Sequence, residues 1–420
     1  MCNDMPVADV YAREVLDSRG LPAAEVEVMT EDGSIGRVVL PQRAFCRPCG
    51  SKTCPDDKTC GGEQDVSDVC HFVNTVLSGV LIGENIYEQA VLDRILSHHG
   101  EAPGVSLALA AAAAKTLGQP LYRYLGGMGA CTLPAPMMSI LSGDPSAADT
   151  MDFQEILIMP VRMRCYGQGL RTCVRVYQEM ENILLERKLS VATGEMGGFL
   201  PELTDAKEAF SLVLEAVQRA GGQPGEDVVL GLNAAAGNLY EKSSDCYVFA
   251  GESAGSGRRI CRSREEMIAY LEGLCRTYPI RVLEDGLDGN DWNGWKMLTD
   301  RLGGRVELVG GDLFHTNRKR LARGICSGAG NAIRMNADEA GTLTDMLALA
   351  EFARQNGYRT VISCCHRETE DTFAADLAVA AGAAQIQAGA PRGAERTAKY
   401  NRLLHIEDSL GLAASCGIDL

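Results

Sequence analysis

Four cysteines fall in one stretch of the chain, Cys46, Cys49, Cys54 and Cys60, with the spacing C-x₂-C-x₄-C-x₅-C. Four thiolates can hold Zn²⁺ tetrahedrally or carry an iron–sulfur cluster. Only the C-x-x-C portion is a familiar ligand unit, and exposed free thiols are the plain alternative. A second group of polar residues closes a series of short apolar runs: Asn233, Glu284-Asp285, Gly311-Asp312, Asn336, Cys364-Cys365 and Gln387.

The elements that would position these residues follow from hydrophobic periodicity. Residues 24–28 and 36–40 alternate in the manner of strands around a Glu31-Asp32-Gly33 turn, which predicts a hairpin. Residues 42–64 lose all periodicity and read as a loop. Helical patterns occupy about 66–128, including the alanine-rich run Val105–Ala114, and Pro134 and Pro136 read as a linker as far as 145. From about 156, apolar runs at 156–161, 228–234, 280–285, 306–312, 332–337, 360–365 and 383–389 alternate with amphipathic segments such as 264–277, 341–356 and 370–381. Strands alternating with helices predict parallel pairing with both sheet faces covered, and this many repeats favours a closed barrel. In such barrels the working residues sit at the carboxyl ends of the strands. The expected fold class is therefore α/β: an N-terminal α+β cap domain over residues 1–130, then a β/α (TIM-like) barrel over 131–420.

Bulk properties agree with a two-domain globular chain. It has 420 residues, 46% hydrophobic and 23% charged. A net charge of −16 argues against nucleic acid or an anionic membrane as partner, since both need basic surface. The start, MCNDMPVADVYARE, lacks the basic and apolar regions of a targeting segment, and the longest apolar run is too short to cross a bilayer. Many of the 16 cysteines lie within apolar patterns, which suits reduced thiols in a cytoplasmic setting.

Along its length the chain resembles the enolases. The similar segments are AREVLDSRGLPAAEVEV (12–28), PLYRYLGG (120–127), LPAPMM (133–138), DFQEILIMP (152–160), GGFLPEL (197–203), LEDGLDGNDWNGWKMLT (283–299), ETEDTFAADLAVA (368–380) and AKYNRLLHIEDSLG (398–411). The resemblance implies a homodimeric phosphopyruvate hydratase of glycolysis that turns 2-phosphoglycerate into phosphoenolpyruvate. Two Mg²⁺ ions would neutralise the substrate carboxylate, a lysine would remove the proton beside it, and a glutamate would help the hydroxyl leave.

Carried over residue by residue, most of that machinery is replaced. The metal positions fall on Asn233, Glu284 and Gly311, with Asp312 beside the last, so Glu284 and Asp312 are what remains of a Mg site. The base position falls on Asn336, the second lysine on Gln387, and the acid/base glutamate on Met196, with Glu195 adjacent. Gln154 and Glu155 are kept. The mobile-loop histidine falls on Ser146, and the cap loop reads Gln42 to Arg47. The phosphate grip falls on Cys364, Cys365 and His366, or, in a shifted alignment, His366 and Arg367 themselves hold the phosphate. An asparagine cannot take up a proton at neutral pH, and losing a positioned base costs about 10²–10⁴ in rate.

Three expectations follow. The first is a catalytically impaired enolase homologue that serves as a binding or interaction module, pairing with itself or with an active enolase and retaining at most a small phosphorylated acid as ligand. The second is a working Mg-dependent enolase with substitute residues. The third is a zinc, iron–sulfur or redox site in the Cys46–Cys60 loop.

Overall fold

A computed structural model describes residues 4–41, 65–100, 103–143, 151–203, 205–337, 339–364 and 367–416. The predicted hairpin is there, extended to three antiparallel strands: β1 (Val7–Leu16), β2 (Pro22–Thr30) and β3 (Ile35–Pro41). Val26 stands opposite Val38, which fixes the register that sends the apolar side chains of both strands to one face. The alanine-rich segment is a helix, Pro103–Thr116, buried almost all round against that face. Gly36 permits the approach, because a Cβ there would lie 2.1 Å from the Ala108 carbonyl oxygen.

The second region is a nearly closed sheet of nine strands among the described residues. In chain order they are β4 (Ala135–Pro136), β5 (Met138–Ser142), β6 (Glu155–Pro160), β7 (Val228–Asn233), β8 (Ile280–Glu284), β9 (Glu307–Gly310), β10 (Ala332–Asn336), β11 (Arg359–Ser363) and β12 (Gln385–Gln387). Their spatial order is β4-β12-β11-β10-β9-β8-β7-β6-β5. Helices Arg264–Thr277, Trp292–Leu302, Arg318–Ser327 and Leu343–Gln355 join successive strands. Local chemistry fixes their starts: Ser263 and Glu266 form a capping box, and Asp291 accepts from the Gly294 amide at 2.9 Å.

Two sequence expectations are corrected. The Pro134–Pro136 region is not a linker, since it supplies β4 and β5. Ala135 and Met137 donate to the carbonyls of Ala384 and Ile386, so Pro136 sits where the missing amide hydrogen would point away from β12. Pairing is also not parallel throughout: β6 runs antiparallel to both β5 and β7. No helix is described between β5 and β6, and an antiparallel return needs no crossover helix.

Inside the barrel lies a compact apolar layer made by Ala135, Met137, Leu157, Met159, Val229, Val282, Val309, Ala332 and Val361. The larger core fills the space between strands and helices. Among the described residues, no helix is long and apolar enough to cross a membrane.

Candidate active site at the barrel mouth

Successive side chains on a strand point to opposite faces, so each inward residue of the apolar layer has an inward neighbour two positions on. Toward the carboxyl ends these are polar. Val282 leads to Glu284, Ala332 to Arg334 and then Asn336, and Val361 to Ser363. Antiparallel β6 brings Leu157 to Glu155. The mouth is thus furnished by the period-two pattern of strands whose lower halves are apolar.

Glu284 is at its centre and is fully buried. Arg334 donates to its Oε1 from Nη1 at 2.8 Å, and the Asn233 amide donates to the same oxygen at 3.2 Å. Burial pushes the Glu284 carboxyl up from its ordinary value, while the Arg334 guanidinium opposes this and the Asp312 charge adds to it. Burial also disfavours charge on Arg334, yet Glu284, Asp285, Glu339 and Asp312 together hold its pKa above the ordinary arginine value. The result is a buried ion pair. Removing one partner of such a pair typically costs about 3–5 kcal/mol, because the other is left charged and unpaired.

Asp285 has a structural task. Its backbone is left-handed (φ 46°), and its Oδ1 accepts from the amides of Gly311 and Asp312, each at 2.9 Å. It therefore braces the exit from β9. Asp312 reaches Arg334 only at 3.7 Å and is about one-third exposed. Gly311 sits against both groups: a Cβ there would lie 2.5 Å from Asp285 Oδ2 and 2.7 Å from Arg334 Cζ.

Asn336 donates to Glu339 at 2.6 Å, and Thr316 holds the other Glu339 oxygen at 2.8 Å. Asn336 Oδ1, Gln387 Oε1 and Glu284 Oε2 are buried and have no hydrogen-bond partner among the described residues. On the opposite wall, Ser139 donates to Glu155 at 2.5 Å. Burial pushes Glu155 up to about 7; the Glu284 charge adds to this, and the Ser139 hydrogen bond opposes it. Gln154, beside it, is half-buried.

Of the remaining sequence candidates, Glu195 is half-exposed and forms an ion pair with Arg19 of the cap. Its neighbour Met196 is buried, with its sulfur 3.5 Å from Arg396 Nη1. Arg367 is half-buried in the turn before helix Phe373–Ala380. His366, Cys365, Ser146, the segment Gln42–Arg47 and the thiols of Cys46, Cys49, Cys54 and Cys60 lie outside the described residues. Lys399 lines a small space with Ser363 and Cys364. Its amine is bonded to Glu368 and to the carbonyls of Thr369 and Glu395 at 2.6–2.7 Å. Arg334 stands two residues before the end of β10, within the strand core, and is not among the strand-end candidates. The available signal was one charged residue in an otherwise apolar strand core, Ala332-Ile333-Arg334-Met335.

Divalent magnesium does not fit this donor set. Mg²⁺ demands oxygen ligands in near-octahedral array. Here Glu284 is bonded to a guanidinium, Asn233 supplies a neutral amide, Gly311 supplies no side chain, and Asp312 stands aside. Among the described residues, no group of three or more His, Cys, Asp or Glu side chains is arranged to hold a metal ion.

Comparison with domain families gives two matches. Residues 7–125 match the enolase N-terminal domain, and residues 130–417 match the enolase C-terminal TIM barrel domain. Together they span nearly the whole described chain, cap and barrel alike, and the chain therefore belongs to the enolase family.

Proposed function

We propose that this chain is a non-catalytic enolase-family protein that uses the fold as an interaction module. The observation that carries this reading is the chemistry of β10. Where the resemblance assigns the base, the strand presents an amide, Asn336, with a guanidinium, Arg334, on the same face. Neither takes a proton from carbon at neutral pH. Met196 supports the same reading, since a thioether has no proton to give. Glu155, raised to about 7, can exchange a proton near neutrality, but the side chains that β10 presents offer it no acid–base partner.

Pairing with a second copy or with an active enolase is the proposed use. Leu16 and Leu21, at the turn between β1 and β2, leave apolar surface exposed within the AREVLDSRG segment and beside it. The ten cysteines among the described residues form no disulfide, and a reducing, cytoplasmic setting is proposed with this reading.

The test is a coupled assay with 2-phosphoglycerate and Mg²⁺, run beside sedimentation analysis alone and with an active enolase. Expected are no turnover above background and a dimer of one or the other kind. Turnover at an ordinary enolase rate would refute the proposal.

A further inference from the structure

We infer that Arg334 is a built-in cation that takes the place of a divalent ion against Glu284, and that its presence makes this barrel mouth indifferent to divalent metals. Three independent features meet on it. The guanidinium bonds the buried Glu284 oxygen at 2.8 Å. The neighbouring residue that shares that oxygen, Asn233, is a neutral amide that donates its hydrogen instead of adding a second negative charge. Finally, the chain has glycine at 311, where any side chain would start 2.7 Å from the guanidinium carbon. The site therefore balances Glu284 with one tethered positive charge and leaves room for that charge by removing a side chain. A divalent ion reaching the unbonded Glu284 Oε2 would have to share a carboxylate that is fully out of water with a guanidinium whose charge repels it. The arginine arrives at no entropic cost of association, whereas a free ion must shed much of its hydration.

This inference concerns metal binding and stands apart from the question of turnover. It is tested by thermal midpoints in K⁺ and in Mg²⁺ at equal ionic strength. The protein, Asn233→Asp, Arg334→Gln and the double variant Asn233→Asp/Arg334→Gln are compared. The parent midpoint is expected to be the same in both salts, and Asn233→Asp, which adds a carboxylate of equal size, is expected to remain unresponsive while Arg334 is in place. Arg334→Gln is expected to lose about 4 °C. The double variant is expected to rise by about 3 °C or more in roughly 10 mM Mg²⁺. A Mg²⁺-dependent rise in the parent or in Asn233→Asp overturns the inference, as does a double variant that ignores Mg²⁺. The two proteins that keep Arg334 decide the matter even if the others fail to fold. Turnover of 2-phosphoglycerate in Mg²⁺-free buffer would refute the proposed function and leave this inference standing.

Discussion

The two ends of the barrel interior are built alike. At the mouth, Glu284 of β8 pairs with Arg334 of β10 at 2.8 Å. At the floor, Glu307 of β9 pairs with Arg359 of β11 at 3.1 Å. Each pair joins strands two apart, the geometry by which alternate strands of a barrel furnish one interior layer. In both, burial pushes the carboxyl up and an arginine opposes it. The floor of such a barrel serves stability, since chemistry belongs to the other end. The mouth here has acquired the floor's device. The difference is depth: the carboxylate and guanidinium side chains are 0% and 20% exposed at the mouth, against 4% and 39% at the floor.

That comparison can be broken most directly by removing each arginine. Arg334→Met is expected to cost about 3–5 kcal/mol, and Arg359→Met clearly less, because water can reach the floor partner. Equal losses in denaturant titration would mean depth does not set the cost. The next largest effect is one of pH. Glu155 is raised to about 7 when folded, so the native state keeps its proton after the unfolded chain has lost it. Folded protein thus binds more protons than unfolded between about pH 4.5 and 7. Stability should fall by about 3 kcal/mol as pH rises through that window, and the loss should vanish in Glu155→Gln. A stability curve that is the same for parent and variant would remove Glu155 from the mouth's charge balance.

Smaller effects sharpen the picture. Gly311→Ala is expected to cost about 2 kcal/mol by pressing on Arg334 and Asp285, whereas Gly304→Ala, with nothing within 4 Å, should be nearly neutral. Matching midpoints for the two would show that the mouth has slack. Smallest is Glu195→Gln: its ion pair with Arg19 is largely exposed, so the change should be under about 1 kcal/mol. A larger loss would give Glu195 a role that this rim contact does not explain.

Much of the architecture was legible because it is local. Period-two alternation in 24–28 and 36–40 set the hairpin, and apolar runs separated by amphipathic segments announced a barrel. Prolines misled at 134–136, since a breaker in sequence is harmless on the unpaired side of a strand. At the site, the sequence put Glu284, Asn233, Gly311 and Asn336 at strand ends, and the enolase resemblance assigned the three metal positions to the first three of them.

Residue types and spacing determined by themselves the strands, the helices and the barrel they build, and the enolase resemblance assigned amides and a glycine to positions that are charged in that family. Only the tertiary structure decided what stands there instead. Arg334 and Asn336 share one face of one strand, and nothing local says which of them reaches a carboxylate 50 residues away along the chain. Strand tilt and register in the closed barrel set that choice, and they put the guanidinium on Glu284 and the amide on Glu339.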